Sequence, residues 1–304
     1  MLNDYIMFPY EYILNEILNK GAKTTNRTGV TTRTMYNVVC EYDLTTYFPL
    51  VTRRKMPFKS IVAELLWILS GSTNNDDLVK LGCKFWSPWV DTNIEENRIF
   101  YNAHPNYPLG HLGPIYGWQL RHFGADYDTY LASKNTFGEW MYQGRGHDQL
   151  TWLINEIKTN PYSRRLVVSY WNPPDISKMR LAPCHVMLKI NLDVVTKSMA
   201  LTLFQRSGDW PIGVPCNVAQ YSLLCHLLAA VTGYNAVGFT HIVNDAHIYE
   251  NQVPAVQEYL MRNGVPSSPV LKIPIKDNIL DYTINDFELN NYEPLPKLEI
   301  PVVV

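Results

Sequence analysis

Apolar residues recur at helical spacing over residues 10–20 (YEYILNEILNK), and Gly21 follows as a stop. A second helix is predicted over 57–70 (PFKSIVAELLWILS), starting near Pro57 and apolar nearly all round, with a short one over 74–81. Residues 148–160 read as an amphipathic helix ended by Pro161. Residues 217–232 (NVAQYSLLCHLLAAVT) read as a buried helix ended by Gly233, and 246–262 as one more. Residues 29–42, rich in Thr, Val and Tyr, read as extended, and further β-like runs are expected at 165–171, 184–194, 199–206 and 237–243. Between 90 and 146 the periodicity fades into Tyr, Asn, Gly and His, which predicts long loops or a small accessory lobe. The pattern implies an α+β fold, a mixed β-sheet packed by long helices.

Composition narrows the function classes. Residues total 304, with 26 basic against 28 acidic and a net charge of −2, so bulk nucleic-acid binding is disfavoured. The five cysteines form no CxxC pair or Cys/His metal spacing, so no disulfide framework and no metal site are expected. The opening Met-Leu-Asn-Asp-Tyr lacks the basic and apolar stretches of a signal peptide, and no uninterrupted apolar run of membrane-spanning length stands out. The expectation is a soluble cytoplasmic protein (host cytoplasm for a viral source), with no membrane partner.

Candidate chemistry concentrates after residue 180. A lone cysteine is by default a buried structural residue; read functionally, Cys184 is a thiolate nucleophile. His185 is poorly placed as its base, because neighbours on a strand point to opposite faces, and no papain-like signature surrounds the pair. Arg27, Arg164, Arg165 and Arg206, with Ser207, are the candidate phosphate ligands, since arginine forks match phosphate oxygens. Glu64 interrupts an apolar helix; it either forms a salt bridge or acts as an acid/base with a raised pKa. Asn217 is either the N-cap of the helix it opens or an amide that reads a ligand edge. His247 and Tyr249, two apart, could face one ligand from a strand or turn.

Across nearly its whole length the chain resembles the thymidylate synthase family. The resemblance rests on Asn26-Arg27-Thr28-Gly29, Phe48-Pro49-Leu50-Val51-Thr52, Glu64-Leu65-Leu66-Trp67, Gly113-Pro114-Ile115-Tyr116-Gly117, Arg121-His122-Phe123-Gly124-Ala125, Ser163-Arg164-Arg165, Trp171-Asn172-Pro173, Ala182-Pro183-Cys184-His185, Gln205-Arg206-Ser207-Gly208-Asp209 and His247-Ile248-Tyr249, in the family order. It implies a single thymidylate synthase-like catalytic domain over 1–304, with a variable segment at about 90–146 and a sheet face at a homodimer interface. It implies that Cys184 attacks C6 of dUMP and that C5 takes a one-carbon unit from 5,10-methylenetetrahydrofolate. Arg27, Gln205, Arg206 and Ser207 would hold the nucleotide, Arg164 and Arg165 would reach in from the partner subunit, Asn217 would read the uracil O4 and N3 edge, and His247 and Tyr249 would bind the 3′-hydroxyl. Glu64, Tyr116 and His185 would assist proton movements. Asp209, Trp86, Trp89, Ile212, Gly213, Cys216 and the tail residues Val303 and Val304 would form the folate side.

Departures from the family pattern gather on that folate side. The family's Val-Pro-Phe-Asn reads Val-Pro-Cys216-Asn217, Trp-Asp becomes Trp86-Ser87, the Gly before the Asp of the His-x-Tyr motif becomes Asn244, and the penultimate alanine becomes Val303. A cytosine-directed relative would carry Asp at position 217, so Asn217 implies uracil. The resemblance puts thymidylate synthesis first, dUMP hydroxymethylation second and a catalytically silent dimeric binding protein third.

Overall fold

The computed structural model describes residues 9–26, 29–131, 146–263 and 268–303. The chain divides into two compact units: residues 1–57, 190–274 and 287–304 form the first, and 58–189 with 275–286 form the second.

In the first unit helix α1 (Pro9–Lys20) buries Tyr10, Leu14, Ile17 and Leu18 and leads into the short strand β1 (Ala22–Thr24) and the long β2 (Thr32–Asp43). β2 pairs antiparallel with β6 (Asn235–Tyr249), and β6 pairs parallel with β5 (Ser198–Asp209). The parallel pair requires a crossover, and helix α7 (Gly213–Thr232) supplies it. Met199, Leu201, Leu203 and Gln205 are buried at every second position of β5, as are Phe239, His241 and Val243 of β6. That period of two puts one sheet face under α7. The opposite face stays open: Val39 is 55% exposed on β2, and its register neighbours Ile242 and Phe204 are half-buried.

α7 is apolar on all sides because it is buried on nearly all sides. Among the described residues it is the one helix long and apolar enough to cross a membrane, yet 78% of its apolar window is buried inside the protein. Leu223, Leu227 and Leu228 have no exposed surface, and each is worth roughly 1.5–3 kcal/mol of burial. The helix begins at Gly213 rather than at 217. Pro215 is tolerated because the first-turn N–H groups have no intrahelical partner; Asn217, the fifth residue of the helix, lies past that turn and is not the N-cap.

The second unit holds α2 (Phe58–Ser70), α3 (Asn75–Lys80), α4 (Glu95–Ala103), α5 (Tyr116–His122) and α6 (Gln149–Thr159). Strand β3 (Val167–Ser169) pairs antiparallel with the first residues of β4 (His185–Asp193). The run at 165–171 is thus extended over fewer residues than expected. The 90–146 segment differs more, because it contains α4 and α5. Its described part has its own core of Phe100, Tyr107, Trp118, Ala125, Tyr127 and Leu131. These helices are too short, and too aromatic, for periodicity to reveal them.

The helix expected over 246–262 is corrected. β6 runs on to Tyr249, a 3-10 turn covers Glu250–Gln252, and α8 (Val253–Met261) follows with Pro254 in its first turn. Ala246, His247 and Ile248 are all buried, so both faces of β6 are covered here and the alternation that marks a half-exposed strand is lost. A small hairpin of β7 (Val270–Lys272) and β8 (Glu288–Asn290) completes the first unit.

Candidate active site

The predicted site residues fall into two groups, one in each unit. In the second unit the centre is Cys184, half-exposed at the residue before β4. Its backbone N–H donates to the Tyr116 hydroxyl at 2.8 Å. Tyr116 is buried at the start of α5, with its ring 5.1 Å from His185, 5.6 Å from Tyr170 and 6.0 Å from Trp86. Two glycines hold this turn in place. Gly113 has φ +79, and a Cβ there would collide with the Lys178 carbonyl; at Gly117 a Cβ would meet the Ser72 carbonyl at 2.6 Å. Arg121, one turn further on, forks onto Asp148 at 3.0 and 2.9 Å and donates to the Leu69 carbonyl at 2.9 Å, fixing α5 against α2. Burial of Asp148 opposes its charge, but the donors Arg121 and Thr151 outweigh that and hold its carboxyl below the usual range.

Glu64 is half-buried on α2, and its Oε1 accepts from the Trp86 indole at 2.7 Å. Trp86 stacks obliquely on Trp67 and Trp89, at 6.0 and 5.6 Å. Glu64, Trp86, Tyr116 and Cys184 therefore form one connected chain. His185 is buried while Cys184 is not, as alternation on a strand predicts. Arg164 and Arg165 are exposed between α6 and β3.

In the first unit a row of amides crosses from β6 to α7. His241 Nε2 meets Gln205 Oε1 at 2.8 Å, and Gln205 Nε2 donates to Asn217 Oδ1 at 3.2 Å and to the Ser207 carbonyl at 2.9 Å. Arg206 and Ser207 are half-buried on β5. His247 and Tyr249 share a face of β6, their rings 5.1 Å apart and near-perpendicular, and His247 Nδ1 lies 2.8 Å from Asp245 Oδ1.

Asp209 ends β5. Its Oδ1 accepts from the Ile212 N–H at 3.1 Å and its Oδ2 from Gln252 Nε2 at 2.9 Å. Burial raises its carboxyl above the ordinary value, an effect that the Gln252 hydrogen bond and the positive side of His247 oppose without cancelling. Gly213 and Cys216 occupy the first turn of α7 beside it, with Cys216 half-buried. Val303 lies in the described tail. Arg27 and Val304 lie outside the described residues. Two contributors escaped the sequence reading, Gln252 and His241; for Gln252 the available signal was its place three residues after Tyr249, the spacing of a capping box. No group of three or more His, Cys, Asp or Glu able to hold a metal occurs among the described residues.

An α+β fold that sets a half-exposed cysteine against a Tyr–Trp–Glu chain defines a candidate enzyme of covalent catalysis. The thymidylate synthase family model matches residues 8–304, and the chain belongs to the thymidylate synthase family. It is 37% identical over 295 residues to the thymidylate synthase of Equine herpesvirus 2, covering 97% of both chains. It is 36% identical over 293 residues to that of Varicella-zoster virus (strain Dumas), covering 96% of this chain and 92% of the other. It is also 36% identical over 298 residues to a bifunctional dihydrofolate reductase-thymidylate synthase of Zea mays, of which it spans only 54%.

Proposed function

We propose that this protein transfers a one-carbon unit from 5,10-methylenetetrahydrofolate to C5 of dUMP, giving dTMP and dihydrofolate. The observation that carries the reading is the chain from Cys184 to Glu64: the Cys184 backbone N–H donates to the Tyr116 phenol at 2.8 Å, the Tyr116 and Trp86 ring centres lie 6.0 Å apart, and the Trp86 indole donates to the Glu64 carboxylate at 2.7 Å. Membership in the family supports this chemistry.

In this mechanism the Cys184 thiolate adds to C6 of the uracil, and the C5–C6 π electrons move toward C5 and O4. Asn217 and Glu64 serve the O4 side, Asn217 directly and Glu64 through water. C5 then bonds the methylene carbon offered by the folate. Tyr116 assists loss of the C5 proton, and the bond from methylene to the folate nitrogen breaks. A hydride from the folate adds to the exocyclic methylene as the S–C6 bond breaks, which restores the C5–C6 double bond and returns the thiolate. Asp209, Trp86, Trp89, Ile212, Gly213, Cys216, Val303 and Val304 form the folate wall. Arg27, Arg206 and Ser207 take the phosphate, and His247 and Tyr249 the sugar.

We read both compact units as parts of one catalytic domain with an accessory segment at about 90–146. A homodimer is supported by the open sheet face around Val39 and Ile242 and by the exposed Arg164 and Arg165, which would complete the partner's phosphate site.

The second reading, dUMP hydroxymethylation, is favoured by one observation. Cys216, half-buried in the first turn of α7, stands where the family's phenylalanine packs on folate. The smaller side chain leaves room for a water to take the methylene in place of hydride. Mass analysis of the nucleotide product, with absorbance for dihydrofolate, separates the two. dTMP with stoichiometric dihydrofolate is expected; a product one oxygen heavier with no dihydrofolate would replace the first reading by the second.

A further inference from the structure

We propose that Gln252 is a positioning residue that couples the C-terminal tail to Asp209, and thereby sets the folate side of the site. The inference rests on the folate-dependent reading above and names a residue to which that reading gave no role.

Gln252 has no exposed surface and uses both ends of its amide. Its Nε2 donates to Asp209 Oδ2 at 2.9 Å and to the Pro301 carbonyl at 3.0 Å. Its Oε1 accepts from the Tyr249 N–H at 3.0 Å. The orientation follows from the partners: reversing the amide would set its oxygen against a carboxylate and a carbonyl, and its nitrogen against an N–H. One side chain thus ties together the end of β5, the end of β6 and the tail.

A helix cap alone would need less. The oxygen that caps the turn at Glu250–Gln252 is supplied equally well by Glu or Gln. The amide nitrogen is what reaches Asp209 and the tail, and no capping function requires it. When the tail docks, Pro301 completes the coordination of the nitrogen that orients the Asp209 carboxylate. When the tail leaves, that nitrogen loses an acceptor, and Asp209 loses the restraint on its partner. Tail docking and the pose of the folate-side carboxylate are one event.

The deciding variant is Gln252→Glu, which keeps the capping oxygen and the shape but turns the donor into an acceptor facing Asp209. The KM for methylenetetrahydrofolate should rise by about tenfold or more, while dUMP affinity stays within about threefold. Hydrogen exchange at residues 299–303 of the ligand-free protein should accelerate by about tenfold. Deletion of residues 301–304 should raise the folate KM in the wild type and add little in the Gln252→Glu background. Unchanged folate KM and unchanged tail exchange in Gln252→Glu would overturn the inference. Should Gln252→Glu not fold, Gln252→Leu carries the same expectations; failure of both to fold would assign Gln252 a purely structural role and also overturn it. A wild-type protein without dUMP- and folate-dependent turnover would instead refute the functional reading, and the exchange measurement would still decide the coupling.

Discussion

Gln205 donates its side-chain amide to Asn217 Oδ1 at 3.2 Å, and its own carbonyl oxygen is held by His241 at 2.8 Å. The row fixes which end of the Asn217 amide is oxygen. Asn217 then has Nδ2 to donate to a uracil O4 and the second lone pair of Oδ1 for N3–H. Cytosine presents the reverse pattern, and mispairing a buried polar edge costs about 1–3 kcal/mol.

We therefore expect dUMP to be preferred over dCMP by about tenfold or more in kcat/KM. Asn217→Asp should move the preference toward dCMP. Gln205→Leu should raise KM for dUMP and erode the preference, because the amide is no longer pinned. Steady-state kinetics with both nucleotides checks this, and equal turnover by the wild type would contradict the assignment.

Tyr116→Phe removes the acceptor of the Cys184 N–H and, on the proposed mechanism, the phenol that assists loss of the C5 proton. kcat should fall by about 10²–10⁴, with a stability loss of only about 1 kcal/mol. The covalent step at Cys184 should persist, so the adduct should accumulate before a slowed proton loss. Rapid-quench mass spectrometry reads that accumulation. An undiminished kcat would remove Tyr116 from the mechanism.

Trp86→Phe keeps the ring contacts with Trp67 and Trp89 but deletes the 2.7 Å donor to Glu64. Loss of a hydrogen bond to a charged group is worth about 1.5–3 kcal/mol. Activity should fall by about tenfold or more, and Glu64→Gln in the same background should cost less than it does alone. Full additivity of the two changes would show that the indole does not act through Glu64.

His226, on α7 against Phe48 at 6.4 Å, is driven down to about 4 by burial. Its folded pKa lies below the unfolded value of about 6.5, so protonation favours the unfolded chain. The protein should lose stability as pH falls from about 6.5 to about 4, by on the order of 1–2 kcal/mol from this partly accessible group. His226→Leu should flatten that limb of the Tm–pH curve. An unchanged slope would mean that another group controls acid sensitivity.

The long apolar segments were legible because burial dominates them. α2 and α7 read as buried helices, and β2 and β5 as extended runs. Elements set by tertiary context were not. The last residues of β6 looked helical because burial on both faces hid the alternation, and α4 and α5 were too short to show a period. Among site residues, motif order pointed to Cys184, Tyr116, Glu64 and Asn217, but their partners could not be read. That Glu64 accepts from the Trp86 indole, or that Gln252 bridges Asp209 and Pro301, depends on contacts between residues 22 to 49 positions apart.

The central claim is that Cys184 bonds covalently to C6 of dUMP while C5 takes up the folate methylene. 5-Fluoro-dUMP tests it most directly, because the C5 fluorine cannot leave as a proton and the adduct stalls. Incubated with this analogue and methylenetetrahydrofolate, the intact protein should gain the mass of both, and Cys184→Ala should gain neither. A wild-type protein that forms no adduct, as a silent binding relative would, or an adduct that survives Cys184→Ala, would contradict the account.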